Sequence, residues 1–453
     1  MKLFQLQPKG QVLVLLALLM VVLLGAAALA IDLGRAYGVK AKLNAAVDAA
    51  SFEAAKALAQ GSGESGMKAH ADLMGTKYFN ANYPGEFLGA TPSAPKVAAT
   101  RDKNGGWRVN VSATARMPTF FAGLLGWKTF DITAASEAVR ATLDLVLVLD
   151  TSSSMYAVFP EVRDRAKEFV KLFDRLDDRM GLVAFSTGAY PIVSICGAYP
   201  NTVQNPAADS LSCGRGFVQE RVNQAIGYLN SGGMTASEEG MKKALDQLNA
   251  LRSSERSGKR VIVFFSDGAP NTLNGRFPLN GGGSVDGNLF SYVFFENSPQ
   301  LVYNPSRYYD AGTDYGMGIA SLPTHDLSGT IPLASYNNKR AFTGNPNPPY
   351  VKCDANIAAR NMTENVADLA RKEGITVYSI GFGEIDSRQM FDPRCSTTYN
   401  EIGSDILKRL ANSKDSDSYN PNQPTGMYCP APDTDALKLC FDKVASAILR
   451  ITK

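Results

Sequence analysis

LDLVLVLD, residues Leu143 to Asp150, is a nearly unbroken apolar run that ends in a carboxylate. A run of this kind is typical of a strand that is buried on both faces of a sheet. Met180 to Phe185, Val261 to Phe265 and residues 375 to 383 (ITVYSIGFG) have the same character, with helical patterns between them. The alternation of strands and helices predicts an α/β fold, a doubly wound and mostly parallel sheet with helices on both faces.

The spacing of apolar residues predicts the helices that cover this sheet. They are expected over about 236–251, 356–372 and 435–450, the last beginning near the capping residues Asp433 and Thr434. Another helix follows the first strand, and its predicted apolar face consists of Ala166, Phe169, Val170, Phe173 and Leu176.

Oxygen-bearing side chains fall at the carboxyl ends of these strands or in the loops beside them. They are Asp150, Ser152 and Ser154 after the first strand, Thr235 after a Gly-Gly turn, and Asp267 after the strand Val261 to Phe265. Ligand sites in open parallel sheets form at these ends. Hard divalent cations take oxygen ligands, and Mg²⁺ takes about six in an octahedron. We therefore predict a metal site formed by these residues, with Mg²⁺ as the expected ion and Mn²⁺ or Ca²⁺ as alternatives.

This order of residues, DxSxS followed by T and D, resembles the metal-ion-dependent adhesion site. The whole region from about residue 142 to 453 resembles a von Willebrand factor A domain. The resemblance implies a binding module in which mostly neutral oxygens leave the cation electrophilic. It also implies that an Asp or Glu carboxylate of a partner protein fills one coordination position.

Two insertions, about 187–220 and 269–352, interrupt the predicted sheet. The larger one is rich in Gly, Asn and Pro, and it contains Tyr292, Tyr303, Tyr308, Tyr309, Tyr315, Tyr336 and Tyr350. It could be a low-complexity loop, or an ordered segment in which the tyrosines bury their large rings. Because it begins directly after Asp267, we expect it to influence the choice of partner.

The N-terminal segment Val12 to Ile31 is twenty residues long and carries no charge. At 1.5 Å per residue it spans about 30 Å, the thickness of a bilayer core. It is either a retained transmembrane helix or a signal peptide cleaved near Ala28-Leu29-Ala30. Its length favours retention, in a helix that continues to about Gln60. The predicted organisation is a cytoplasmic stub (1–10), a transmembrane helix (11–31), a helix with a small α+β domain (32–141) and the A-type domain (142–453).

The same N-terminal stretch resembles the TadE/TadG-like proteins of Tad (Flp) pilus assembly. The residues that carry the resemblance are Gly10, Asp32, Gly34, Arg35, Leu43, Ala46, Asp48, Ala49 and Ala50. It implies a single-pass protein of the bacterial inner membrane with a small pilin-like domain. The cysteines of the C-terminal region, which suit an oxidising compartment, place that region in the periplasm or outside the cell. Leu15 stands where pilins have Glu, five residues after the glycine.

The small domain between the anchor and the A-type domain has weaker patterns. Residues 61–66 (GSGESG) predict a hinge, and 67–79 predict a short helix. Residues 107–115 and 128–139 predict strands. No catalytic group of residues is evident in this region.

Six cysteines lie in the C-terminal part of the chain, and none belongs to a CxxC pair. Their even number and loop-like surroundings indicate disulfides in an oxidising compartment. We predict a bond between Cys196 and Cys213, which fall in one insertion. Cys440 lies in an apolar helical pattern and is expected to be a buried free thiol.

Composition narrows the class of function. The net charge is +3, from 46 basic and 43 acidic residues, and gives no argument for nucleic-acid binding. The two histidines, His70 and His325, are far apart, and the chain lacks a G-x-S-x-G elbow, so a serine hydrolase at Ser152 to Ser154 is disfavoured. Two hypotheses remain. The chain is a pilus- or envelope-assembly protein that contacts other pilus or envelope components, or it is a surface adhesin that binds an external ligand.

Overall fold

The structure is a computed structural model that describes residues 9–58, 61, 63–101, 106–197, 207–290, 308–309, 319–337, 340, 350–385 and 402–449. The chain divides into two compact units, Met1–Arg140 and Ala141–Arg450.

The first unit consists of two helices and an antiparallel sheet. Its elements are α1 (Lys9–Ala57), α2 (Gly63–Asn82), β1 (Thr91–Pro92), β2 (Lys96–Arg101), β3 (Trp107–Pro118) and β4 (Thr129–Arg140). Strand β3 is central and pairs with the three other strands. The two strands expected in this region are therefore confirmed.

The predicted hinge at residues 61–66 is wrong where the structure describes it, because Gly63 to Gly66 already belong to α2. The acidic side chain of Glu64 lies in the first turn of α2, where it favours the helix, and it pairs with Lys68 one turn later.

Helix α1 is 49 residues long and has two parts of different character. Its second part packs on the sheet through Leu43, Ala46, Val47, Ala50 and Ala54, which are fully buried as their spacing predicts. In the first part, the large apolar side chains from Leu13 to Leu24 are exposed. By length and composition, α1 can cross a membrane.

The second unit is built on a six-stranded sheet with the order β13-β12-β8-β5-β6-β7. The strands are β5 (Leu143–Asp150), β6 (Arg179–Phe185), β7 (Ala189–Val193), β8 (Lys259–Ser266), β12 (Thr376–Phe382) and β13 (Tyr428–Ala431). All neighbours are parallel except the edge strand β7, which is antiparallel to β6. The helices are α3 (Phe159–Val170), α4 (Gln219–Tyr228), α5 (Ser237–Ala250), α6 (Tyr350–Lys372), α7 (Gly403–Ala411) and α8 (Thr434–Ile448). The predicted fold class is confirmed.

The central strand β5 is buried along its whole length and supports two cores. Val146 and Val148 belong to the core that contains α5 and α6 residues, whereas Leu145, Leu147 and Leu149 belong to the core that contains residues of α3, α4 and α8. Two covered faces explain why β5 is apolar at nearly every position rather than at alternate ones.

One predicted helix is shorter than its apolar pattern. Helix α3 ends at Val170, and Leu176 lies beyond it with 45% of its surface exposed. The side chain of Asp174 accepts the backbone N–H of Leu176 at 2.9 Å, and Asp178 accepts the N–H of Asp174 at 2.9 Å. These local bonds form a turn that replaces the helix.

The large insertion contains ordered structure. Strands β9 (Thr272–Pro278) and β10 (Ser284–Phe290) form an antiparallel hairpin, and the short β11 (Tyr308–Tyr309) pairs with β10. Leu273, Phe277 and Leu289 are buried in one core of the sheet. A low-complexity loop is therefore ruled out for this part of the insertion, and these leucine and phenylalanine side chains pack it against the sheet. The side chains of Tyr308, Tyr309 and Tyr350 are not described, so the expected burial of the tyrosines stays a prediction. Tyr292, Tyr303 and Tyr315 lie outside the described residues.

Two disulfides join described cysteines. Cys196 and Cys213 are bonded, with Cα atoms 5.7 Å apart, as predicted. Cys440 is bonded to Cys429, with Cα atoms 5.6 Å apart, so the prediction of a free thiol is wrong. The short edge strand β13 brings Cys429 against α8, and the helical pattern around Cys440 gave no sign of that strand. Cys353 and Cys395 lie outside the residues whose side chains the structure describes.

Replacing both Cys429 and Cys440 with Ser should lower the free energy of unfolding by about 2–4 kcal/mol, because the bond restricts the unfolded chain. Denaturant unfolding of the purified chain without reductant measures this loss against the wild type, in which the Cys196–Cys213 bond is equally intact. A wild-type Cys440 that reacts with a thiol reagent before reduction would contradict the pairing.

Candidate metal centre

Asp150 occupies the carboxyl end of β5 and is fully buried. Its Oδ1 accepts the backbone N–H of Ser152 at 2.8 Å, and its Oδ2 accepts the hydroxyl of Ser266 at 2.6 Å. Ser266 is the last residue of the neighbouring strand β8. The carboxylate is therefore held in a fixed orientation by one donor from its own loop and one from the adjacent strand.

The two serines of the first loop connect Asp150 to Asp267. The Ser152 and Ser154 hydroxyl oxygens are 3.0 Å apart, and the Ser154 hydroxyl donates to Asp267 Oδ1 at 3.0 Å. Four of the predicted site residues therefore form one continuous hydrogen-bonded set at the edge of the sheet.

The loop that carries Thr235 is bound to both other loops through its backbone. Gly232 N–H donates to Thr151 O at 2.7 Å, and Ser153 N–H donates to Gly233 O at 3.1 Å. Gly233 has a φ of +82°, and a Cβ there would lie 2.1 Å from the hydroxyl of Thr187, so the turn requires glycine. The N–H of Thr235 donates to Asn271 Oδ1 at 2.9 Å. These contacts place the backbone of Thr235 between the two aspartate loops.

The electrostatics of the site are unfavourable without a positive charge. Burial, reinforced by the nearby carboxylate of Asp267, raises the pKa of Asp150 to about 7, although hydrogen bonds from Ser152 and Ser266 act in the opposite direction. Burial also raises the pKa of Asp267. Among the described residues, no lysine or arginine opposes either shift. A fully buried carboxylate and a partly buried one lie close together without a basic partner, which is costly, and a cation would offset that cost.

The donors present fit a hard cation. No group of three or more His, Cys, Asp or Glu side chains suited to a metal occurs in the described part of the chain. The candidate site instead combines two carboxylates with serine and threonine hydroxyls, an all-oxygen set of the kind that Mg²⁺, Mn²⁺ or Ca²⁺ takes. Ser154 is exposed and Asp267 is partly exposed, so this side of the site is open to solvent.

Two residues that position the site were not identified from the sequence pattern. Ser266 holds Asp150, and Asn271 holds Thr235. Ser266 could have been noticed as the polar residue that ends an apolar strand. Asn271 had no signal of its own, because its partner is 36 residues away in sequence.

Asp150→Asn should leave the cation-free protein at least as stable as the wild type, because it removes the repulsion with Asp267. It should also abolish stabilisation by Mg²⁺, which for the wild type is about 2.7 kcal/mol at a concentration of one hundred times Kd. Thermal unfolding with Mg²⁺ and with chelator measures both effects. The matched control is Asp164→Asn on α3, where the carboxylate is exposed. Equal Mg²⁺ stabilisation of all three proteins would contradict the assignment.

Comparisons with known proteins agree with this architecture. Residues 144–279 match the von Willebrand factor type A domain model, and residues 10–57 match the putative Flp pilus-assembly TadE/G-like model. No curated protein matches the chain.

Several solved structures are similar to this chain at low identity. The pilus adhesin SpaC from Lactobacillus rhamnosus GG is 17% identical with a TM-score of 0.38, over 78% of this chain and 33% of that one. The vWF domain of the type V pili tip protein Mfa5 from Porphyromonas gingivalis is 13% identical with a TM-score of 0.37, over 70% of this chain and 99% of that one. This chain thus spans about a third of the SpaC chain. On the two family matches, the chain carries a TadE/G-like N-terminal segment and a von Willebrand factor type A domain.

Proposed function

We propose that this chain is a membrane-anchored protein-binding component of Flp-type pilus or envelope assembly. Its A-type domain binds an acidic side chain of a partner protein through a divalent cation held by Asp150, Ser152, Ser154, Thr235 and Asp267. The observation that carries the proposal is the hydrogen-bonded set of Asp150, Ser152, Ser154 and Asp267, which lacks a basic partner among the described residues and is open on one side.

Each residue has a distinct part in this mechanism. Asp150 and Asp267 supply negative charge, whereas the hydroxyls of Ser152, Ser154 and Thr235 supply neutral oxygens. A bound cation supplies an electrophilic centre that a carboxylate of the partner can coordinate. Because Asp150 and Ser152 are buried and Ser154 is exposed, the partner must approach from the side of Ser154.

The N-terminal segment supports a role in the cell envelope. It matches the TadE/G-like model, and α1 is long and apolar enough to span a bilayer. The disulfides Cys196–Cys213 and Cys429–Cys440 suit an oxidising compartment. We therefore propose that α1 anchors the chain in the bacterial inner membrane and that the A-type domain lies in the periplasm or outside the cell.

The large insertion is proposed to influence which partner binds. It begins close to the site, since Asn271 precedes β9 and binds the backbone of Thr235. Its hairpin is also part of the core, so deleting the hairpin would disturb the fold. Substitutions in the exposed turn at residues 280–283 therefore test the influence on partner binding better than deletion of the hairpin.

The alternative is a surface adhesin that uses the same site to bind an external ligand. The TadE/G-like match favours the assembly role, because that model concerns pilus assembly. The two functions differ in where the partner is found. An assembly protein should capture other envelope proteins of the same cell, and an adhesin should capture a ligand from outside it.

Capture of partners from solubilised membranes tests the proposal. Wild-type protein should recover partners in Mg²⁺ and lose them in chelator, whereas Asp150→Ala should fail in both conditions, because its cation site lacks a charged ligand. Asp164→Ala removes an exposed carboxylate of the same kind and should behave as the wild type. Recovery of the same partners in every condition would show that the contact does not depend on a metal.

A further inference from the structure

The connection between β3 and β4 exposes a concentrated apolar surface. Residues 119–128 (TFFAGLLGWK), here called the hairpin tip, include the exposed side chains of Phe120, Phe121, Leu124, Leu125 and Trp127. Leu124 is 85% exposed and Trp127 is 62% exposed. A contiguous apolar surface of this kind is unusual on a soluble protein and marks a contact with a partner or a membrane.

The hairpin tip is bound to α1 directly after the apolar run Val12 to Ile31. The carboxylate of Asp32 accepts the backbone N–H groups of Phe120 at 2.9 Å and of Phe121 and Ala122 at 2.8 Å. Burial alone would raise the pKa of Asp32, but these three donors and Arg35 outweigh it and hold the pKa below the usual value for an aspartate. Asp32 is therefore a charged anchor for the tip.

Arg35, one turn further along α1, completes this attachment. Its guanidinium donates to Pro118 O at 3.2 Å and to Leu88 O at 2.8 Å. It also lies 3.8 Å from the centre of the Phe120 ring, where a cation is attracted by the aromatic face. The Asp-x-Gly-Arg sequence at the end of the apolar run thus fixes both the backbone and one ring of the hairpin tip.

The hairpin is oriented towards the apolar end of α1. The hydroxyl of Ser51 contacts that of Ser136, Lys40 donates to Thr133 O, and Asp32 binds the tip. The partners on α1 therefore run from residue 51 to residue 32 as β4 is followed towards the tip. These residues are about 28 Å apart along the helix, at 1.5 Å per residue. Leu33 and Tyr37, both exposed, lie on α1 at this same end.

We propose that the hairpin tip inserts into the interfacial layer of the bilayer that residues 12–31 span. The inference rests on the membrane anchoring proposed above. Trp and Tyr favour the membrane interface, and Phe and Leu side chains reach the acyl boundary. Lipid is the occupant because Asp32 couples the tip to the first position after the apolar run.

Insertion gives the first unit two points of attachment to the membrane. A single helix can rotate about its axis and change its tilt, whereas packing and interfacial anchors fix both. Through the hydrogen bonds of Asp32 and Arg35, the tip and α1 move as one body, so the depth of the tip sets the depth of the helix.

The chain's two tryptophans allow a direct test, because Trp107 is 1% exposed and Trp127 belongs to the tip. Full-length Trp107→Phe is reconstituted into phosphatidylcholine–phosphatidylglycerol vesicles, so that Trp127 is the remaining reporter. The fluorescence emission of Trp127 should lie at shorter wavelength than that of a tryptophan in water. Lipids brominated near the head group should quench this emission more than lipids brominated near the chain end. In the Trp127→Phe variant the emission comes from the buried Trp107. Brominated lipids should quench this emission little, and its short wavelength confirms that the unit is folded.

Two variants in the Trp107→Phe background test the cause. Leu124→Asn with Leu125→Asn changes side chains that are already exposed, and it should reduce lipid quenching without unfolding the unit. Asp32→Asn should also lose lipid quenching, because the tip loses its charged acceptor, while the protein still floats with the vesicles.

Anchoring of the chain in the membrane and insertion of the hairpin tip give different results in these experiments. A chain that fails to float with vesicles would overturn both. A chain that floats, but whose Trp127 is quenched by aqueous acrylamide and not by brominated lipid, would overturn insertion alone. Protection of Trp127 in native membranes but not in lipid vesicles would show that a protein covers the tip, which also overturns it.

Discussion

The A-type domain depends on the parallel pairing of β5 with a neighbour on each side. Leu149 pairs with Phe265 of β8, and Asp150 pairs with Phe185 of β6. This register puts the carboxylate of Asp150 beside Ser266 and directs both aspartate loops to the same edge of the sheet. The strand is buried on both faces, and Asp150 at its carboxyl end has no exposed surface. The sheet that creates the site also deprives its first carboxylate of solvent.

The aspartates at the two ends of β5 differ in how their buried charge is balanced. Asp144, near the amino end, is as buried as Asp150, but it accepts hydrogen bonds from Arg179 at 3.1 Å and from the backbone and hydroxyl of Ser257 at 2.7 Å. The buried charge of Asp144 is thus paired within the chain. Asp150 receives only uncharged donors and faces a second carboxylate, Asp267. Asp144 is therefore structural, and the difference between the ends supports the proposal that a cation completes the site at Asp150.

The sequence predicted the features that depend on local patterns of apolar and polar residues. Buried strands appear as apolar runs and the site residues as polar side chains at their ends, so the fold class was predictable and the site residues could be proposed. The structure adds what depends on pairing between distant segments. The edge strands β7 and β13 are short and each contains a proline, which weakens a strand pattern, so the partner of Cys440 could not be recognised. Asn271 and Ser266 act through neighbours that only the folded sheet supplies.

Asp32 and Asp144 differ from Asp150 and Asp267 in what balances their charge. In the first unit, Asp32 is satisfied by three backbone N–H groups and by Arg35, and in the second unit Arg179 and Ser257 satisfy Asp144. Both therefore fix structure, at the hairpin tip and at the amino end of the sheet. Asp150 and Asp267 have hydrogen bonds to hydroxyl and backbone donors but no opposite charge among the described residues. Because an unpaired buried charge costs several kcal/mol or more, this deficit is the strongest physical reason to expect that a cation, and then a partner, completes the site.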